Sequence, residues 1–438
     1  MILILSISGV GNGIDAGMKI LWVVNTIFPD VAAHIGIDQP VSGGWMYSLA
    51  SDLVKIDGVE LIVATVYSGK ILRSFTLNDV LYYLIPAHQG ANAVKRYWVE
   101  IVSDNNPDFS HIHGTEYGHG MALMESCPGL RCVVSLQGLV SVIHRYYLAG
   151  LSSWDVLKNI TFRDIVRRDT LFHGKYDFYK RGLVEREYIR RAAAVIGRTD
   201  WDQAHAKAIN PTVRYFFCNE SLRSDFYTDE KWKIENKTSL SIFLSQAGHP
   251  IKGLHQVLKA VAFLKSEYPG VTIEIAGANI VDTSNWKSRL RLSGYGNYIR
   301  TFIREAGLES NIRFLGPLNA NQMKKAYLRC NVFICPSSIE NSPNSLGEAQ
   351  ILGVPCIASY VGGIPSMNNR DSALLYRFDE PEMLALNIRN VFINDGLALS
   401  LSERGAAIAR MRHDRSSNLI ALSRIYSDMS VDSSDGVR

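Results

Sequence analysis

The chain has 438 residues, 47% of them hydrophobic and 20% charged, a balance ordinary for globular proteins and a length sufficient for two domains with full cores. Its net charge of +4 gives no electrostatic footprint for nucleic acid, and no apolar run reaches the length of a membrane span. None of the six cysteines (Cys127, Cys132, Cys218, Cys330, Cys335 and Cys356) belongs to a C-x-x-C pair, so they are read as buried reduced thiols rather than disulfides or zinc ligands.

Residues 1–17 lack the positive start of a signal peptide and are read as an upstream extension with little structural role. The fold proper begins at Met18, where a short basic start runs into a buried strand. Strands are expected at Ile20–Asn25, Leu61–Val66, Leu81–Ile85, His111–His113, Cys132–Leu136, Ala194–Ile196 and Val213–Phe217. Amphipathic helices lie between several of them, as at Trp45–Ile56, where Trp45, Leu49 and Leu53 share a face. Residues from about 150 to 192 break the rhythm as a basic, aromatic-rich helical insertion. Its stretch Lys175–Arg181, with Arg163, Arg167 and Arg168 before it, is read as a solvated helix face, with a membrane interface as the other reading.

The second half is more regular. Strands at Ile242–Leu244, Thr272–Ala276, Ile312–Leu315, Val332–Cys335 and Pro355–Ala358 alternate with helices at Leu254–Leu264, Tyr298–Ala306 and Gln322–Leu328. Alternating strands and helices of this kind predict an α/β protein with parallel sheets covered on both faces. We therefore expect one domain over 18–222 and a second over 223–410, joined near Asn219–Lys237 across a cleft. A C-terminal helix over 411–438 would pack back on the first domain and fray from about Ser430.

The segment Pro336–Pro365 carries the most chemistry. It runs from a buried strand through a polar loop into a short helix, a second strand and a Gly-Gly turn, with Glu340 and Glu348 at the mouth of the helix. Strand-to-helix junctions in open α/β sheets receive nucleotides, because helix N-terminal amides point at the ligand. Carboxylates beside such a cradle suit a ligand with both phosphates and hydroxyls, which points to a sugar nucleotide. Ser342 is expected to cap the helix with Pro343 at its first position, leaving the amides of Asn344, Ser345, Leu346 and Gly347 for oxygens of the ligand. Glu348 has a second reading, since Ser345-Leu346-Gly347-Glu348 fits a capping box.

Lys252 follows a strand and precedes a helix, so it can pair with a diphosphate. A solvated surface lysine is the plainer alternative. Gly43 and Gly44 suit close backbone approach to a ligand or a simple turn. His113, Glu116 and His119 are spaced like metal ligands, but the glycines around them disfavour a preformed metal helix. His113 is better placed as a strand-end residue facing the cleft. Asp200-Trp201-Asp202 has a metal-binding spacing, yet it opens a helix and is read as capping.

With these residues in hand, the chain resembles the retaining glycosyltransferases of family 4, which have the GT-B fold of two facing Rossmann-like domains. The resemblance runs from Met18 onward and is densest over Glu340–Pro365, where E-x7-E, Gly-Val-Pro and Val-Gly-Gly-Ile-Pro all agree. The variant ENSPNSLGEA looks like bacterial members that build capsule, exopolysaccharide or lipopolysaccharide. The resemblance implies that Glu340 lies beside the donor sugar, that Glu348 holds the ribose and that Lys252 meets the diphosphate. It places Asn344 to Gly347 on sugar or phosphate, and Gly43 and Gly44 near donor phosphate and acceptor. From their place at the end of a cleft-facing strand, His113 and Glu116 are expected on the acceptor side.

Two positions depart from the family pattern. Gln137 stands where a cleft histidine is usual, and Gln246 where an arginine is usual; Arg198 is a candidate replacement for that arginine. The implied activity is metal-independent transfer of a hexose or related sugar from a UDP- or GDP-sugar to a hydroxyl of a lipid-linked or oligosaccharide acceptor. No further cofactor is implied. The protein would be cytoplasmic, with the basic N-domain helices as its part toward the membrane. Rival readings are a nucleotide-sugar-binding protein without transferase activity and a sugar-nucleotide epimerase of the same architecture.

Overall fold

A computed structural model describes residues 17–38, 44–87, 91–368 and 371–431. Of the expected features, residues 1–16, Gly43 and the tail beyond residue 431 lie outside the described residues. Two sheets organise the rest. The first contains β1 (Met18–Val23), β2 (Val59–Tyr67), β3 (Arg73–Leu77), β4 (Val80–Pro86), β5 (Phe109–His113), β6 (Cys132–Ser135), β7 (Ala194–Gly197) and β8 (Arg214–Phe217). Their order is β3-β4-β2-β1-β5-β6-β7-β8. All neighbours pair in parallel except β3 with β4. The second sheet contains β9 (Ser241–Leu244), β10 (Thr272–Ile275), β11 (Ile312–Phe314), β12 (Val332–Cys335), β13 (Cys356–Ser359) and β14 (Leu374–Tyr376), all parallel. Its order, β11-β10-β9-β12-β13-β14, is that of a doubly wound nucleotide-binding sheet. The expected α/β architecture of two Rossmann-like domains is thus the one observed.

Burial explains why the strands read as continuous apolar runs. In β1, Ile20 and Trp22 join one layer while Leu21 and Val23 join the layer on the opposite face, so both faces are covered. The helix Leu254–Leu264 buries Leu254, Val257, Leu258 and Val261 against the second sheet, as its spacing predicted. Two edge strands escaped the sequence reading. β3 has mostly exposed side chains and returns through Asn78 and Asp79, both at positive φ, in a tight hairpin turn. β14 has only three residues. The helix expected from Tyr298 begins earlier, at Gly294, because Ser293 Oγ accepts from Gly296 N–H and caps a glycine-rich first turn.

The insertion forms three helices, Ser153–Lys158, Phe162–Arg167 and Leu171–Arg191. It is shared between the domains. Leu151 and Val156 belong to the second domain's core, and His255 Nε2 meets the Ala149 carbonyl (2.9 Å). The long helix instead packs on the first domain, where Glu185 is fully buried and accepts from Thr115, Val140 and Ser141.

The chain crosses to the second domain near Glu220 and returns near His413. The two crossings are bonded to each other: His413 Nδ1–H donates to the Glu220 carbonyl (2.7 Å), and Tyr227 O–H donates to the His413 carbonyl (2.6 Å). The final helix, Arg415–Val431, then lies on the first domain, burying Leu422, Ile425, Tyr426 and Met429 beside Met18, Ile20 and Trp22. All six cysteines are free thiols. No helix among the described residues is long and apolar enough to cross a membrane.

Candidate functional site

In each sheet the strand order reverses at one point, and the loops leaving the two strands there diverge to open a crevice. In the second sheet those strands are β9 and β12. The β9 loop carries Lys252 and the β12 loop carries Glu340, eighty-eight positions apart in sequence. Lys252 Nζ donates to Glu340 Oε1 at 2.6 Å, and Ser337 O–H donates to the same oxygen at 2.8 Å. Burial opposes the Lys252 charge, but the Glu340 carboxylate outweighs it and raises the ammonium pKa above its ordinary value. The solvated-lysine alternative is therefore replaced by a cation fixed in the crevice. Gly253, at φ +71°, makes the turn that holds it there; a Cβ at that position would collide with the Pro336 carbonyl.

The helix after β12 starts later than expected. It spans Asn344–Ile351 with Pro343 as its cap residue, and no side chain caps it. Ser342 is outside and its Oγ accepts from Arg412 Nη2 (3.3 Å). The N–H groups of Leu346 and Gly347 are taken by the Pro343 carbonyl, so of the four expected amides those of Asn344 and Ser345 are the ones left for a ligand. The Asn344 side-chain oxygen is buried without a partner. Gly347 packs under the His413 ring, whose Nε2 is also buried without a partner.

Glu348 is not a capping residue. Its carboxylate receives Arg223 through two parallel bonds, Nε to Oε1 at 2.7 Å and Nη2 to Oε2 at 2.8 Å. Burial raises the Glu348 pKa, and the paired guanidinium opposes that shift. The capping-box pattern failed because Ser345 lies inside the helix, so no N-cap side chain exists for Glu348 to complement.

On the facing domain, Gln137 and Arg198 share a partner that the sequence did not single out. Glu220 accepts from Gln137 Nε2 (2.8 Å) and from Arg198 Nη1, while Arg198 Nη2 donates to the carbonyls of Leu136 (3.1 Å) and Gln137 (3.0 Å). Burial raises the Glu220 pKa, with Arg198 opposing. Arg198 is therefore held in this network, with its Nε buried and without a partner. Gln246 is exposed. Gln137 retains one amide hydrogen for a ligand. Neither Glu220 nor Arg223 could be found by spacing, because both partners lie far away in the chain.

His113 ends β5, at the switch point of the first sheet. It is buried against Trp22 and His111, and neither ring nitrogen has a partner. Burial pushes its pKa down to about 3, so it is neutral. With Trp45, Arg198 and Glu220 it lines a cavity of about 30 Å³, room for an ordered water. Glu116, two residues past β5 and its glycine, has a buried, unpartnered Oε2, and burial raises its pKa. His119 instead meets the Val24 carbonyl at 3.2 Å, so His113, Glu116 and His119 are not gathered into one cluster. Asp202 closes a capping box with Thr199, and Asn341 of the β12 loop reaches across the cleft to Thr199 Oγ1 (2.7 Å) and Asp202 (2.8 Å). Gly44 opens the helix Gly44–Leu53, which is separated from β1 by a further short helix, Pro29–Ile35.

Residues 227–407 match the family model described as Glycosyl transferases group 1, which is the β9–β14 domain with its helices. The chain is 25% identical over 182 residues to the D-inositol 3-phosphate glycosyltransferase of Corynebacterium jeikeium (strain K411), 41% of each chain. It is 25% identical over 124 residues to the amylovoran biosynthesis glycosyltransferase AmsK of Erwinia amylovora, 26% of this chain and 30% of that one. The chain thus spans less than half the length of these curated relatives. In fold the likeness covers both domains. Sucrose-phosphate synthase from Thermosynechococcus elongatus superposes with a TM-score of 0.68 at 13% identity, over 95% of this chain and 100% of that one. The Anabaena protein HepE, solved in complex with UDP and glucose, gives 0.62 at 16% identity, over 94% and 100%. The two facing Rossmann-like domains are the GT-B arrangement.

Proposed function

We propose that the chain is a retaining, metal-independent glycosyltransferase of the family 4 type. It would move a hexose or related sugar from a nucleotide-diphosphate sugar to a hydroxyl of a lipid-linked glycan, in the building of a surface polysaccharide. The observation that carries this reading is the meeting of Lys252 and Glu340 at the switch point of the domain that matches the group 1 family model. In the proposal, Lys252 and the open amides of Asn344 and Ser345 stabilise negative charge on the departing diphosphate. Glu340 orients the donor sugar, and Glu348 takes the ribose hydroxyls while Arg223 keeps its carboxylate ionised and aimed.

The acceptor hydroxyl would attack from the face the diphosphate leaves, and the leaving phosphate would take its proton. That route needs no histidine at position 137. His113 and Glu116 would line the acceptor side. Closure of the cleft, of which the Asn341 bonds to Thr199 and Asp202 are one element, would keep water from the donor.

The first test is a thermal-shift panel of UDP-, GDP- and other nucleotide sugars, with UDP-glucose in the set because a fold neighbour was solved with it. At least one should raise the melting temperature, and indifference to all of them would refute donor binding. Lys252→Ala should cut transfer by about a hundredfold or more while the protein stays folded; unchanged turnover would remove the lysine from the mechanism. The engagement of Gln137 by Glu220 favours one second reading, a nucleotide-sugar-binding protein without transferase activity. Tight donor binding with no transfer to any lipid-linked acceptor would select it.

A further inference from the structure

The helix Phe162–Arg167 is amphipathic with its apolar side outward. Phe162, Ile165 and Val166, at positions i, i+3 and i+4, are 72%, 65% and 64% exposed, while Asp164 is buried. This orientation is fixed rather than incidental. Asp164 accepts from Gly294 N–H (2.7 Å) and pairs with Arg163 (3.0 Å), which anchors the polar side against the second domain.

Two neighbouring helices repeat the pattern. In Ser153–Lys158, Trp154 and Leu157 point outward while Val156 joins the core. In the helix Trp286–Arg291 of the second domain, Trp286 and Leu290 are exposed at i and i+4. The helix Phe162–Arg167 packs on Trp286–Arg291, with Thr161 Oγ1 donating to the Leu292 carbonyl (2.8 Å), and Ser153–Lys158 packs on the next helix of the second domain, Gly294–Glu305. Both domains therefore contribute to one face.

Charge sorts unevenly on this face. Lys158, Arg167, Arg168, Lys287 and Arg291 are exposed, and none is in an ion pair among the described residues. The acids of the same segments are already engaged, Asp155 in a capping box with Ser152 and both Asp164 and Asp169 with Arg163. We propose that this three-helix face docks on an anionic lipid surface, with its tryptophans and phenylalanine in the interfacial layer and its exposed cations on the headgroups. A second copy of the chain suits the face less well, since two-fold pairing would set these cations against one another. The proposal is independent of the donor reading and places the membrane contact across both domains rather than on the N-domain helices alone.

The test is sedimentation of the full chain with vesicles of phosphatidylcholine, with and without phosphatidylglycerol. Binding should require phosphatidylglycerol and weaken as salt is raised. The double variants Phe162→Glu with Ile165→Glu, and Arg167→Glu with Lys287→Glu, should each lower vesicle affinity by about tenfold or more. Their unfolding midpoints and their response to nucleotide sugars should match those of the unmodified protein, since these side chains are exposed. No phosphatidylglycerol-dependent binding, or variants that bind like the parent, would overturn the proposal. So would light scattering that shows a dimer lost in the Phe162→Glu variant, which would assign the face to a second copy.

Discussion

At the scale of single residues, two carboxylates from one segment have different circumstances. Glu340 is held by Lys252 and Ser337 at the cleft, whereas Glu348 is enclosed and answered by Arg223. Removing one partner of an enclosed pair leaves an uncompensated charge. Arg223→Ala should therefore destabilise the protein by about 2 kcal/mol, a figure reduced from that for fully buried pairs because the Arg223 side chain is 26% exposed. A urea midpoint equal to that of the parent would show that Glu348 needs no counter-ion. Gly253→Ala tests a different constraint, because the new Cβ meets the Pro336 carbonyl and φ is +71°. It should lower stability by about 1–3 kcal/mol and weaken donor binding, both readable in one thermal-shift series. Lys252 and Glu340 were legible in the sequence because each lies in the segment between a strand and the next helix, and Glu348 because it lies in the short helix that follows that segment. Arg223 and Glu220 were not, since their partners are 125 and 83 positions away.

At the scale of elements, the switch points do the positioning. Lys252 and Glu340 meet because β9 and β12 are neighbours in the sheet while their following helices go to opposite faces. The long helix Leu171–Arg191 is fixed at its C-terminal half by Glu185, which accepts from the N–H of Val140 (3.0 Å) and Ser141 (2.9 Å) and from the Thr115 hydroxyl (2.7 Å). Burial raises the Glu185 pKa despite these donors. Glu185→Ala should cost about 3 kcal/mol by leaving several buried donors unmatched, and a denaturant midpoint close to the parent's would show that the helix is held by its apolar contacts alone. The regular helices and central strands were readable from periodicity, since burial on one face or both repeats on a fixed spacing. The edge strand β3 was not, because an exposed strand bears no such pattern, although the Asn78-Asp79 pair was a usable turn signal.

At the scale of the molecule, the two chain crossings between the domains are bonded to each other through His413. Burial lowers the pKa of His413, of His249 and of His255 to about 4, and that of His113 to about 3. Each folded value lies below the ordinary 6.5, so between about pH 6.5 and 4 the unfolded chain binds protons that the folded chain does not. Stability should therefore fall as the pH drops through that window and be fully present above it. His255, enclosed between Tyr295 and the Ala149 carbonyl, contributes about 3 kcal/mol of this dependence. A melting temperature flat from pH 7 to about 4.5 would contradict the burial of these rings.

The sequence by itself determined the α/β class, the alternation of strands and helices, and the segment bearing Glu340 and Glu348, because these depend on local spacing and on short-range turn chemistry. Tertiary structure alone decided that Glu348 answers Arg223, that Arg198 and Gln137 close on Glu220, and that the insertion joins both domains with its apolar face outward. Each of these is a choice of partner between distant segments, and only the folding of those segments against one another makes that choice.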